Sequence, residues 1–129
     1  IAKAHKGEAS GEAALEHDWA KLTKMHPMML EIEERSGDLN RVIRRPRGRA
    51  DEPVHASVIA LLTLAMHADT HEVKNAEDIP EWQGYAREYL DQMTGVAKAV
   101  REQDKTAAGE LMMKATATCD KCHEKFRDI

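Results

Sequence analysis

Apolar residues between Leu15 and Ile43 advance along the chain by threes and fours: Leu22, Met25, Met29, Ile32, Leu39 and Ile43, with Ser36 taking the single polar step. Such a seam keeps one face of an α-helix apolar and predicts a long first helix packed against other helices. Pro27 lies inside it, where the ring removes a backbone donor and crowds the preceding turn. Either the helix bends there, or a short helix ends and a second begins with Pro27 near its first position; the bend is the preferred reading. From Val54 to about His71, the run Val58, Ile59, Leu61, Leu62, Leu64, Ala65 and Met66 is apolar around most of the circumference, which predicts the most buried helix of the set. Asn75 to Pro80 reads as a turn, with Asp78 as N-cap and Pro80 in the first turn of a third helix. Its face is Trp82, Tyr85 or Ala86, Tyr89, Met93, Val96 and Val100. Gly84 and Gly95 interrupt this helix at about 1 kcal/mol each relative to alanine, which close approach of another helix or of a cofactor would explain. Thr106 is placed to cap a fourth helix with Ala108, Leu111, Ala115, Cys119, Cys122 and Phe126 on one face.

No alternating strand pattern competes. Four amphipathic helices with short connectors predict an all-α fold, an antiparallel four-helix bundle, formed by residues 1–129 as a single domain behind a loose segment over 1–11. Ser10 is a candidate N-cap ahead of Glu12. The connector Arg44-Arg45-Pro46-Arg47-Gly48-Arg49 leads into Asp51-Glu52-Pro53, a helix entry with acid at the positive dipole end. Composition fits helices: aromatics make up 4%, methionines number seven, and the interior must be filled by Leu, Val, Ile, Ala and Met. Nineteen basic against twenty-three acidic residues give a net charge of −4 in mixed distribution, which argues against a nucleic-acid binder. No apolar run approaches the roughly twenty residues of a membrane span.

The chain's only two cysteines stand in Cys119-Asp120-Lys121-Cys122-His123, the C-x-x-C-H signature of covalent c-type haem attachment. Positions i, i+3 and i+4 share one side of a helix, so two thiols can add to two vinyl groups while the imidazole of His123 reaches the iron. A zinc site would need further ligands, and a thioredoxin-like dithiol would sit among strands. One haem c, bound through Cys119 and Cys122 in the core of the bundle near the C-terminus, is the expectation. Such attachment is normally completed after export, and the sequence begins at Ile1 without an initiator methionine. The expected location is therefore the bacterial periplasm, with a signal peptide already removed.

With the motif on the last of four helices, the chain resembles the cytochrome c′ family, the class II c-type cytochromes. The resemblance rests on Cys119 to Arg127, where an aromatic and an arginine follow the histidine by three and four residues, and on helix order over roughly residues 12–128. It implies thioethers at Cys119 and Cys122, His123 as proximal axial ligand, and Arg127 near the imidazole. Phe126 and Arg127 also read simply as packing and as a favourable cation in the last helical turn. Family members with an apolar first-helix residue opposite the histidine are five-coordinate and bind gases such as nitric oxide; relatives with methionine there are six-coordinate and transfer electrons. This chain offers Met25, Met28 and Met29. Met25 and Met29 lie on the seam while Met28 is displaced by one residue, about 100°, and Met29 is the preferred distal ligand because the resemblance puts that residue at its distance from the end of the first helix, with Met25 a turn too early. A changed helical phase at Pro27 would bring Met28 or Met25 there instead.

The leading function is thus a soluble monohaem electron carrier with a redox partner protein; the alternative is a five-coordinate gas-binding protein for NO or CO. An enzyme of the peroxidase or hydroxylamine-oxidising kind would want a distal acid–base pair, for which His17, His26, His55, His67 and His71 are candidates by composition only, and no enzymatic activity is expected. His67 and His71, at i and i+4, read as surface residues at a helix C-terminus rather than as metal ligands. The resemblance further implies that two copies can pair through their first two helices. The four connector arginines could meet an acidic partner or haem propionates, although a solvated loop is the commoner explanation.

Overall fold

The structure, a computed structural model, describes residues 24–127. Four α-helices, α1 (Met25–Arg44), α2 (Val54–Ala68), α3 (Ile79–Arg101) and α4 (Lys105–Phe126), make an all-helical bundle with no strand among the described residues. Each helix packs on the next in sequence and α1 closes the ring more sparsely against α4. The links are too short for anything but reversal of direction, and cross-contacts agree. Trp82 Nε1, near the start of α3, donates to the Met66 carbonyl near the end of α2 at 2.9 Å. Lys125, at the end of α4, pairs with Asp78 at 3.3 Å and with Glu81. The start of α1, the 69–78 link and the end of α4 therefore share one end of the bundle; the 45–53 connector and the α3–α4 link share the other.

The segment before residue 24, including Leu15, His17, Leu22 and the loose 1–11 stretch, lies outside the described residues. Within α1, Pro27 does not bend a helix but falls in its first turn, two residues after Met25. There the first four backbone N–H groups have no helical acceptor, so proline loses nothing. The buried stripe is Met25, Met28, Ile32, Leu39 and Ile43, with Met29 half-buried beside it. The sequence expectation had Met29 rather than Met28 on this stripe, and helical geometry explains the difference. Counted from Leu39 at 100° per residue, Ile32 lies at ~20°, Met25 and Ile43 at ~40°, Met28 at ~−20° and Met29 at ~80°. A strict heptad step drifts about 20° per repeat against a straight helix, enough to favour Met28.

Helix α2 ends at Ala68, so His71 is not on it. Nor is α2 the most buried helix: Ala56, Ile59, Thr63 and Met66 face the core, while Leu61 and Leu64 are 65% and 51% exposed. Helix α3 follows a 3-10 turn at Ala76–Asp78 with Pro80 in its first turn, and buries Trp82, Ala86, Tyr89, Met93 and Val96. Its two glycines differ. A Cβ on Gly95 would stand 3.0 Å from Leu111 Cδ1 of α4, a close helix approach, whereas one on Gly84 would meet nothing within 4 Å. The cap of α4 is Asp104 rather than Thr106, its carboxylate accepting the Ala107 N–H at 3.0 Å.

Candidate functional site

The C-x-x-C-H turn occupies the last third of α4, and its three residues pass from core to solvent around the helix. Cys122 is buried, Cys119 half-buried and His123 exposed. The buried stripe of α4 is Ala108, Met112, Ala115, Thr118, Cys122 and Phe126. Relative to Cys119, Cys122 lies at about −60° and His123 at about +40°, so the turn straddles the edge of the stripe. The side-chain directions span ~100°, compact enough for one ligand to touch all three.

Both sulfurs are free thiols. Burial pushes the Cys122 thiol up to about 11, helped by the neighbouring Cys119 and by Glu81. Cys119 is also raised, first by burial, against a hydrogen bond from Tyr89 that lowers it. Thiols so placed remain protonated at neutral pH, unlike the lowered-pKa cysteines of reactive dithiols. The His123 ring makes no hydrogen bond or ion pair among the described residues. Its carbonyl accepts the Arg127 N–H at 3.1 Å, and Arg127 caps the helix one turn on with an exposed side chain.

The turn is held from α3. Phe126 packs edge-on against Trp82, with ring centroids 5.3 Å apart, and Gln92 Nε2 donates to Thr118 Oγ1 at 3.0 Å. Tyr89, which the sequence marked only as a core position, has its phenol hydrogen-bonded to both Ser36 and Cys119, and burial pushes its pKa well up. The signal was present: Ser36 is the one polar step in an apolar seam, and a half-buried hydroxyl on such a seam takes a partner from the facing helix. This bridge sets Ser36 level with Cys119. The helices being antiparallel, His123 on α4 is level with about Ile32, and Met29 lies about a turn further toward the start of α1.

The histidines do not gather. His26 is exposed in α1, His55 lies at the opposite end of the bundle, and His17 is outside the described residues. His67 is in the last turn of α2 and its carbonyl accepts Gln83 Nε2 at 3.3 Å. His71 Nδ1 is paired with Asp69, which is buried. No three His, Cys, Asp or Glu side chains converge as a metal site among the described residues. No helix there is long and apolar enough to cross a membrane.

Two unbridged protonated thiols, one of them engaged by Tyr89, and a neighbouring imidazole without a partner are a donor set that suits covalent haem attachment. No family model matches the chain, and neither a curated protein sequence nor a solved structure matches it.

Proposed function

We propose that this protein is a monohaem c-type cytochrome of the cytochrome c′ kind, which carries electrons in the periplasm and is not an enzyme. The observation that carries this reading is the Cys119, Cys122, His123 turn on the last helix of a four-helix bundle, with its thiols protonated and its imidazole unpartnered. Cys119 and Cys122 would hold the haem by thioethers, and its iron would be bound by His123 and by a methionine of α1, either Met29 at the edge of the buried stripe or Met28 on it. When bound, the haem supplies a one-electron couple whose potential is tuned by the ligands and the burial around it. The protein's part is to fix the turn: Trp82 against Phe126 and the Lys125 pairs with Asp78 and Glu81 anchor the end of α4, while Tyr89 ties Cys119 to α1. A redox partner protein goes with this role. The exposed stripe Val54, Leu61 and Leu64 on α2 supports pairing of two copies through the first two helices.

The alternative, a five-coordinate protein binding NO or CO, is favoured by one observation. Ile32, apolar and buried, is the α1 residue level with His123, whereas Met29 is half-buried and a turn away. Spectra separate the two. Mass spectrometry of the mature protein should first show one haem that survives acid–acetone extraction; free thiols at Cys119 and Cys122 would overturn both readings. The electron carrier should then be low-spin and exclude carbon monoxide, and one of Met29→Ala and Met28→Ala should turn it high-spin and admit the gas, while Met25→Ala should not. An unmodified protein that is already high-spin and binds carbon monoxide readily establishes the gas-binding alternative instead.

A further inference from the structure

At the opposite end of the bundle, the α1–α2 connector borders a cleft of about 570 Å³ lined by five arginines, Arg41, Arg44, Arg45, Arg47 and Arg49, together with His55 and the carboxylates of Asp51 and Glu52. Five of the chain's nine arginines line this one cleft, in a protein of net charge −4. A solvated loop spreads such charges apart; here the fold converges them. The organiser is Glu52, whose carboxylate accepts the backbone N–H of Arg47 at 2.9 Å and of Arg49 at 3.0 Å, curling the connector around itself.

The guanidinium groups are unequally committed. Arg41 is paired with Asp38, and Arg44 Nε donates to the Asn40 carbonyl at 3.4 Å. Arg45 and Arg47 have no carboxylate partner for their side chains among the described residues. Deep in the wall, Nδ1 of His55, in the first turn of α2, is shut off from solvent with no hydrogen-bond partner. Guanidinium groups gathered in one cleft without carboxylate partners of their own lack something of opposite sign that accepts hydrogen bonds.

We propose that this cleft binds a small multivalent anion of the polyphosphate class, its oxygens taken by the guanidinium forks of Arg45, Arg47 and Arg49. Guanidinium forks bind oxyanions in bidentate pairs, so several converging forks need several adjacent oxyanions on one molecule. The volume lies within the roughly 300–1,000 Å³ of small-ligand sites, and a concavity suits a compact ligand better than the convex surface of a protein. The haem propionates considered from the sequence are not candidates. The cleft adjoins the end of the bundle where α4 begins, and Lys105 to Cys119 spans about 21 Å at 1.5 Å per residue.

The test is calorimetric titration of the full chain with sodium tripolyphosphate at low salt. One saturable site is expected, weakened at least tenfold in R45Q/R47Q and unchanged in R87Q, whose arginine lies on α3 paired with Asp91. R45K/R47K, which keeps the charge and the backbone bonds to Glu52, should weaken binding by a smaller but measurable factor. Circular dichroism checks that the variants keep their helices; should R45Q/R47Q lose them, R45K/R47K carries the test. Absence of a saturable site, several equivalent sites, full affinity in R45K/R47K, or tighter binding of an aspartate-rich peptide than of tripolyphosphate would each overturn the proposal.

Discussion

Cys122 shows how much one side chain's surroundings decide. Its thiol is buried against α3, and burial raises its pKa to about 11 from an ordinary value near 9. A group whose folded-state pKa is raised stabilises the fold fully below its unfolded value and loses that contribution as pH climbs through the folded one. In the chain before any thioether forms, stability should therefore fall between about pH 9 and pH 11. Tyr89, Cys119 and Lys125 also have raised values and contribute in the same direction. Urea midpoints at pH 8 and pH 10.5 measure the fall, and Cys122→Ala should make it shallower without abolishing it. An equal pH dependence in both proteins would mean that the thiol is more solvated than its burial implies. Thioether formation removes the titrating thiol altogether, so the same experiment distinguishes loaded from unloaded protein.

At the scale of elements, the link from α3 to α4 is a tight helix end. Gln103 has φ +56°, its N–H donates to the Val100 carbonyl at 3.1 Å, and the Asp104 N–H donates to the Ala99 carbonyl at 2.8 Å. That pair of bonds is the Schellman arrangement, in which the left-handed residue is usually glycine. Gln103→Gly should raise stability by up to about 1 kcal/mol, read as an upward shift in thermal midpoint, because a Cβ is disfavoured there. Periodicity in the sequence had located all four helices, since each carries an apolar stripe that repeats every three or four residues. It was less able to fix their phase and ends. Met28 and Met29 both border the stripe of α1, and only the packed helix shows which of them is inside. The run of leucines on α2 concealed that its outer face is left exposed, because periodicity counts apolar residues without showing what covers them. Thr106 and Asp104 both have capping chemistry, and the choice depends on where the backbone leaves Gln103. The C-x-x-C-H turn was legible because its meaning lies in local spacing. The Tyr89 bridge and the arginine cleft were not, since each joins residues brought together only by the fold.

Considered as a whole, the molecule separates two chemistries by the length of its helices: the cysteine–histidine turn near one end, and a cleft lined by five arginines with Asp51 and Glu52 at the other. Antiparallel packing sets the macrodipole of each helix against that of its neighbours, so the backbone contributes little along the bundle axis. Side chains then determine the electrical asymmetry, and a net charge of −4 combined with a cationic tip leaves the remainder of the chain acidic. A cationic tip on an otherwise acidic chain gives the molecule a permanent dipole moment, which turns in an external field. Transient electric birefringence should detect that alignment, with a smaller signal in R45Q/R47Q and none of the loss in R87Q. On a negatively charged surface the molecule should stand on its arginine tip, holding Cys119, Cys122 and His123 outward into solution.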